Sequence, residues 1–112
     1  MPTKAIVWLG SALDDLRDFP EDARRLAGYQ LRRLQDGLLP DDWKPMAGVG
    51  PGVMEFRVHT GAEHRVFYMA KFAEAVYVLH AFEKRAQKTR EADLDLARTR
   101  YRALLHHRGG TR

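Results

Sequence analysis

Apolar and polar residues alternate over residues 53–60, which predicts a β-strand with one apolar face and one charged face. The alternation resumes over residues 64–70, after the turn-forming residues 60–63, so we expect the two segments to pair as a hairpin. Residues 75–82 are almost entirely apolar, as in a strand that is covered on both faces. This last strand is therefore expected in the middle of the sheet.

The N-terminal third predicts one more strand and a helical hairpin. Residues 4–9 are a short β-branched and aromatic run that suits a strand. Ser11 and Asp14 resemble a capping box, which predicts the start of a short helix. A second helix should begin at Pro20, because proline is tolerated in the first turn, and should end at Gly37.

Residues 39–52 are rich in proline and glycine, and this composition predicts a loop that is largely without regular structure. The loop contains Gly48-Val49-Gly50, but a dinucleotide fingerprint requires a helix immediately afterwards, and the residues that follow have the pattern of a strand. We therefore interpret the loop as a connector rather than as a phosphate cradle.

Helical spacing returns near the C-terminus, where Thr89 suits an N-cap and a helix from Glu91 would carry an apolar stripe at Leu94, Ala97, Tyr101, Leu104 and Leu105. Together the elements predict an α+β fold. We expect a small, antiparallel-rich sheet of about four strands, with an N-terminal helical hairpin and a C-terminal helix. A chain of 112 residues suits one domain, which would span residues 1–112.

The composition excludes several kinds of chemistry. The chain has no cysteine, so disulfides, thiol nucleophiles and cysteine-based zinc sites are excluded. The sequence also lacks the histidine and carboxylate spacing of a metal site, and we expect neither a metal nor a cofactor. No window approaches the length of an apolar membrane span, so a cytoplasmic location without membrane contact is expected.

Positive charge is concentrated in the second half of the chain. Residues 1–55 hold 7 Lys and Arg against 9 Asp and Glu, whereas residues 56–112 hold 12 against 6. Most of the cations lie on and just after the three strands of the second half, at Arg57, Arg65, Lys71, Lys84, Arg85, Lys88 and Arg90. A basic sheet of this kind favours a phosphate-rich ligand.

The order of elements and three short motifs resemble one known family. The motifs are Glu55-Phe-Arg57, then Arg65-Val-Phe-Tyr68, and then the stretch after the last strand, His80-Ala-Phe-Glu-Lys84-Arg85-Ala-Gln-Lys88-Thr89. In this order they resemble toxins of the RelE/ParE superfamily, in its phage-derived HigB-like branch. The chain departs from the family pattern at Arg85, where a second lysine is common, and at Arg90, where proline often follows the threonine.

The resemblance implies a RelE-like fold and a toxin of a type II toxin–antitoxin system. Such a toxin is a ribosome-dependent endoribonuclease that cleaves mRNA by attack of a 2′-OH on the neighbouring phosphate, without metal. Its implied partners are mRNA, the ribosome and a cognate antitoxin, commonly a helix-turn-helix protein. The antitoxin would cover the helical hairpin and the basic face of the sheet.

The resemblance also implies roles for individual residues. Catalytic roles fall to Arg65 as a phosphate clamp, to Lys84 and Lys88 in phosphate binding or proton transfer, and to His80 as a secondary acid–base candidate. The implied substrate-binding residues are Lys44, Arg57, Tyr68 and Arg85, and some relatives use late residues, here His106 and His107. Each has a simpler structural interpretation: for example, His80 lies in the most apolar strand, and Glu55 can hold Arg57 in an architectural ion pair.

Two other functions stay open at this point. A ParE-like gyrase inhibitor would share the fold and act by binding a protein, without needing the cations after the last strand. A non-catalytic basic module would bind RNA or the ribosome through counterion release. Composition alone does not separate the nuclease from such a module, because function depends on the site and not on the scaffold.

Overall fold

The computed structural model describes residues 3–109, and within them five strands form one mixed sheet with helices on both faces. The elements in chain order are β1 (Ala5–Trp8), α1 (Ala12–Arg17), α2 (Glu21–Gln35), β2 (Trp43–Pro45), β3 (Met54–His59), β4 (Glu63–Met69), β5 (Ala75–Glu83) and α3 (Glu91–Gly109). The strand order is β1-β5-β4-β3-β2, and only the β1–β5 pair is parallel. This is an α+β architecture of the RelE-like kind, as the sequence predicted.

The central part of the sheet follows the predicted pattern with one correction. β3 and β4 form the expected antiparallel hairpin, and residues 75–82 of β5 are all buried. However, β5 lies second in the sheet between β1 and β4, and the middle position belongs to β4. Both strands have neighbours on each side and packing on both faces, so apolar content alone does not distinguish their positions.

The sheet has five strands rather than about four, because the proline- and glycine-rich loop contributes one. β2 pairs with β3 along its three residues, and the backbone N–H of Met46 donates to the carbonyl of Val53 at 2.8 Å. Pro45 is compatible with this strand because β2 lies at the sheet edge, where a missing N–H costs no ladder bond. The prediction of a largely irregular loop is therefore confirmed over residues 39–52 except for the three residues of β2.

The helix starts differ from the predicted caps. The hydroxyl of Ser11 donates to the carboxylate of Asp15 at 2.8 Å and caps no backbone N–H, so the capping box with Asp14 is absent. At the start of α3, the carbonyl of Arg90 accepts the N–H of Leu94, which makes Arg90 the N-cap instead of Thr89.

The helix ends show one agreement and one correction. α2 ends at Gln35 and Gly37 follows with φ of 81°, a left-handed conformation that favours glycine, as predicted. On α3, Leu105 is 40% exposed and does not belong to the buried stripe. The buried positions of α3 include Asp93 instead, which a search for apolar spacing overlooks.

Two cores form, one on each face of the sheet. One face of the sheet packs against the helical hairpin of α1 and α2, and we call it the hairpin face. Its core contains, among other residues, Leu16, Leu31, Leu34, Phe56, Tyr68 and Val78. The α3 face packs against α3 and residues 46–53, with Val49, Phe67, Leu79, Ala97 and Leu104 in its core. Because β5 contributes to both cores, nearly every residue along it is apolar. No helix within residues 3–109 is long and apolar enough to cross a membrane.

The glycine-rich loop is fastened to α3. The ring of Tyr101 lies so close to Gly50 that a Cβ there would be 2.5 Å from Cε2, and the Tyr101 hydroxyl donates to the carbonyl of Pro51 at 3.2 Å. The guanidinium of Arg98 donates to the carbonyl of Gly48 at 2.9 Å. Gly50 therefore permits close packing against α3, which agrees with the interpretation of the loop as a connector.

Candidate functional site

Arg57 and Arg65 lie directly opposite each other on β3 and β4, on the α3 face of the sheet. Two like charges in this position repel unless an anion compensates them. Glu55 supplies that anion: its Oε2 lies 3.1 Å from Arg57 Nε, and its Oε1 lies 3.7 Å from Arg65 Nε. Glu55 is 1% exposed, so both arginines are held by a buried carboxylate.

Three further side chains extend this pair into a closed ring. Glu63 Oε1 lies 2.9 Å from Arg65 Nη1, and His59 Nδ1 lies 2.8 Å from Glu63 Oε2. His59 Nε2 lies 2.7 Å from Asp42 Oδ2, and Asp42 Oδ1 lies 4.0 Å from Arg57 Nη1. We call this set of Arg57, Glu55, Arg65, Glu63, His59 and Asp42 the charge ring. It joins the loop before β2 to β3 and β4.

The ring shifts the pKa of two of its members, His59 and Glu63, in opposite directions. Hydrogen bonds to Glu63 and then to Asp42 raise the pKa of His59 above its ordinary value. In turn, hydrogen bonds from His59 and then from Arg65 lower the pKa of Glu63. The raised pKa favours the protonated form of His59, in which the ring alternates basic and acidic side chains.

A cleft of about 370 Å³ lies beside the ring, between the end of β5 and the start of α3. Its lining residues are Phe82, Glu83, Lys84, Arg85, Ala86, Lys88, Arg90 and Asp93, which include four cations and two carboxylates. We call it the basic cleft. It adjoins the ring because Arg65 pairs in register with Phe82, and the backbone N–H of Lys84 donates to the carbonyl of Glu63 at 2.7 Å.

Apart from Arg90, which pairs with the buried Asp93, the cations of the basic cleft are held loosely compared with those of the ring. Lys84 Nζ donates to the carbonyl of Gln87 at 2.6 Å, and Arg85 pairs with Glu83 at 3.2 Å while remaining 81% exposed. Within residues 3–109, no carboxylate lies within ion-pair distance of Lys84 or Lys88. These lysines can therefore bind an anionic ligand without first breaking an ion pair.

His80 is linked to the basic cleft through its hydrogen bond with Asp93. His80 Nε2 lies 2.8 Å from Asp93 Oδ1, and Arg90 Nε lies 3.1 Å from Asp93 Oδ2. Burial lowers the pKa of His80, which favours the neutral imidazole, and Asp93 as a carboxylate accepts the hydrogen bond from Nε2. His80 itself lines a neighbouring groove and not the basic cleft, whereas Asp93 and Arg90 line both.

Tyr68 is not brought together with the other candidate residues. Its ring packs against Phe56 in the core of the hairpin face, opposite to the face that carries Arg65. Burial raises the pKa of Tyr68 to about 12. The predicted stacking or proton-donating role of Tyr68 has no support from this position.

Lys44 and the C-terminal histidines occupy the periphery. Lys44 is exposed on β2 and pairs in register with Glu55, so it shares the face of the charge ring. His106 and His107 lie near the end of α3, about 22 Å along the helix axis from its first residue at 1.5 Å per residue. Because the basic cleft is at the start of α3, these histidines are remote from it.

Three members of the charge ring, and Asp93, were not predicted from the sequence. His59 and Glu63 are four residues apart across a predicted turn, and this spacing could have indicated their contact. Asp42 gave no signal, because its contact with His59 depends on the unforeseen β2. Asp93 lies three residues after Arg90 at a helix start, and this spacing predicts their ion pair but not the contact with His80.

The site holds two groups of positive charges. The arginines of the charge ring are held rigidly, whereas the cations of the basic cleft are accessible. Lysine and arginine bind phosphate oxygens and neutralise charge that develops on phosphorus. Within the described residues, no group of three His, Asp or Glu side chains is placed to hold a metal ion.

The fold and this site define a small α+β protein with a basic, phosphate-compatible cleft at the end of its sheet. Residues 14–102 match the family described as Phage derived protein Gp49-like (DUF891), so the chain belongs to the Gp49-like family of phage-derived proteins, within the RelE/toxin-like superfamily. The matched range runs from α1 into α3 and includes the charge ring and the basic cleft. No curated protein matches the chain.

Proposed function

We propose that this protein is the toxin of a type II toxin–antitoxin system, of the HigB-like branch, and that it cleaves mRNA on the ribosome. The observation that carries the proposal is the basic cleft, where four cations converge beside the pre-oriented Arg65. Membership of a phage-derived, toxin-like family supports the same class of protein. A cytoplasmic location of the protein is part of this proposal, because translating ribosomes, its proposed target, are in the cytoplasm.

The proposed reaction is a metal-independent cleavage of the RNA backbone. A 2′-OH attacks the adjacent phosphorus, the bond to the 5′ oxygen of the next nucleotide breaks, and the products are a 2′,3′-cyclic phosphate and a 5′-OH. The protein must align the chain, accept one proton, return one to the leaving oxygen and stabilise the added negative charge. Lys84 and Lys88 would bind the scissile phosphate, and Arg65 would neutralise the transition state.

The remaining candidates take supporting parts in this proposal. Arg85 and Lys44 are exposed and would contact flanking phosphates, while Arg57 supports Arg65 through Glu55. His80 would act as a positioning residue that orients Arg90 through Asp93. A cognate antitoxin with a helix-turn-helix would cover α1, α2 and the basic face in the resting complex.

Induced expression in a bacterial host tests the proposal, with growth followed and mRNA 5′ ends mapped. We expect wild type to arrest growth and to produce new 5′ ends inside translated codons, and Lys84→Ala and Lys88→Ala to lose both effects. Lys71→Ala is the matched control, because Lys71 lies over the Phe72 ring and outside the basic cleft. Arrest without RNA cleavage would contradict the nuclease and favour a gyrase inhibitor or a non-catalytic RNA-binding module.

A further inference from the structure

The two carboxylates that hold Arg65 differ in their burial. Glu55 has a side chain that is 2% exposed, whereas the side chain of Glu63 is 40% exposed at the β3–β4 turn. The Arg65 side chain is only 7% exposed. Glu55 is therefore a permanent part of the fold, while Glu63 covers Arg65 from the solvent side.

Glu63 occupies the position that an external anion would take on Arg65. Its Oε1 accepts from Arg65 Nη1 at 2.9 Å, a distance typical of a charge-assisted hydrogen bond to carboxylate or phosphate. A phosphate that reached the guanidinium at this nitrogen would have to replace the Glu63 oxygen. The same Nη1 also donates to the backbone carbonyl of His64 at 3.3 Å, so this nitrogen has no second free position for a phosphate oxygen.

We propose that Glu63 is an internal competitor of RNA phosphate for Arg65, and that RNA binding displaces its carboxylate from the guanidinium. This inference rests on the proposed function, because it names the residue that sets the affinity of the same site. Only the Glu63 side of this ion pair reaches the solvent, so its carboxylate can move away from Arg65 without the fold opening.

The ring provides a place for the displaced carboxylate. Glu63 Oε1 and Oε2 both lie 2.8 Å from His59 Nδ1, so Glu63 keeps a cationic partner after losing Arg65. His59 contacts Asp42 as well as Glu63, and Asp42 is also paired with Arg57. Glu55 remains paired with Arg65 throughout the exchange. The exchange therefore leaves no buried charge without a partner.

The test measures binding of a fluorescein-labelled 12-nucleotide single-stranded RNA by anisotropy over a series of salt concentrations. Glu63→Gln should raise the affinity about threefold to tenfold and leave the slope of log K against log salt unchanged, because the same phosphate contacts Arg65 in the wild type and in the variant. Glu21→Gln is the matched control. It removes the same charge from an exposed ion pair with Arg25 on α2, which packs on the opposite face of the sheet.

A second comparison isolates Arg65. In an Arg65→Gln background, Glu63→Gln should give no gain beyond that of Glu21→Gln, because the competed group is gone. If Arg65→Gln does not fold, the side-chain Nε–H signal of Arg65 in the wild type replaces this comparison, and it should shift when RNA is added.

The outcomes separate the inference from the proposed function. RNA binding with equal affinities for Glu63→Gln and Glu21→Gln would overturn the competition while leaving the proposed function intact, and so would an Arg65 signal that does not respond to bound RNA. A wild type and variants that all fail to bind RNA would overturn both.

Discussion

His80 donates a hydrogen bond to Asp93 across the boundary between β5 and α3, with 2.8 Å between Nε2 and Oδ1. Both side chains are more than nine-tenths buried, and the second oxygen of Asp93 accepts from Arg90. One carboxylate therefore links the interior of the sheet to a cation of the basic cleft. This link fixes where α3 begins relative to the end of β5.

Removing the carboxylate should destabilise the protein. Asp93→Ala is expected to lower the free energy of unfolding by about 2–3 kcal/mol, because it leaves the buried N–H of His80 without an acceptor. Urea denaturation measures the effect. Asp95→Ala is the control, since Asp95 is a 69% exposed partner of Arg98 on the same helix and should cost less than about 1 kcal/mol. Equal losses in the two variants would contradict the structural role of the His80–Asp93 bond.

The packing of Tyr101 against the glycine-rich loop gives a second prediction. Gly50→Ala should lower the free energy of unfolding by about 1–3 kcal/mol, because its Cβ would lie 2.5–2.7 Å from three atoms of the Tyr101 ring. Gly48→Ala is the matched control: nothing lies within 4 Å of a Cβ there, so stability should change by less than about 0.5 kcal/mol. Thermal denaturation of both variants decides the matter.

A further variant shows whether the clash is the cause. In a Tyr101→Ala background, Gly50→Ala should cost much less than it does in the wild type, since the ring atoms are gone. An undiminished cost there would mean that the backbone at Gly50, and not the tyrosine, sets the requirement for glycine.

Much of the fold could be predicted because it follows local patterns. The alternation in β3 and β4 gave the hairpin and placed Glu55 and Arg57 on one face, where they form the expected ion pair. Helical spacing with Pro20 and Gly37 at its ends gave α2. In each case, neighbouring residues determine the structure.

The rest could not be predicted because it depends on contacts between distant segments. β2 becomes a strand only because β3 offers it an edge, and Asp42 reaches His59 only because β2 forms. The contact of His80 with Asp93 likewise depends on how α3 packs on β5. Arg65 was expected as a phosphate clamp, and only the tertiary structure places it between two carboxylates.

Glu55 gives the third prediction, because it compensates two arginines at once. Glu55→Ala should lower the free energy of unfolding by about 3–5 kcal/mol, since it leaves the buried Arg65 with only the exposed Glu63 and restores repulsion from Arg57. Urea denaturation at low salt measures it. Glu21→Ala, which breaks an exposed pair on α2, should cost less than about 1 kcal/mol. A loss in Glu55→Ala no larger than this would show that the ring is held by its exposed members.

The last prediction concerns pH and His59, whose pKa is raised in the folded protein by Glu63 and then by Asp42. A folded-state pKa above the ordinary value of 6.5 means that the folded protein binds the proton more tightly than the unfolded chain. The stabilisation is therefore complete below pH 6.5 and is lost as the pH rises through the folded-state pKa. The free-energy difference between wild type and His59→Gln should accordingly be larger at pH 6 than at pH 9.

The comparison with His59→Gln isolates this residue from the other histidines. Burial lowers the pKa of His64 and of His80, so their contributions run in the opposite direction and are lost as the pH falls below 6.5, but both chains retain them and the difference cancels their effect. High salt should shrink the His59 difference at pH 6, because the side chain is 51% exposed and its ion pairs are screened. His106→Gln controls for the loss of a histidine at the exposed end of α3. A difference for His59→Gln that stays constant or grows between pH 6 and pH 9 would mean that His59 is not the cation that closes the charge ring.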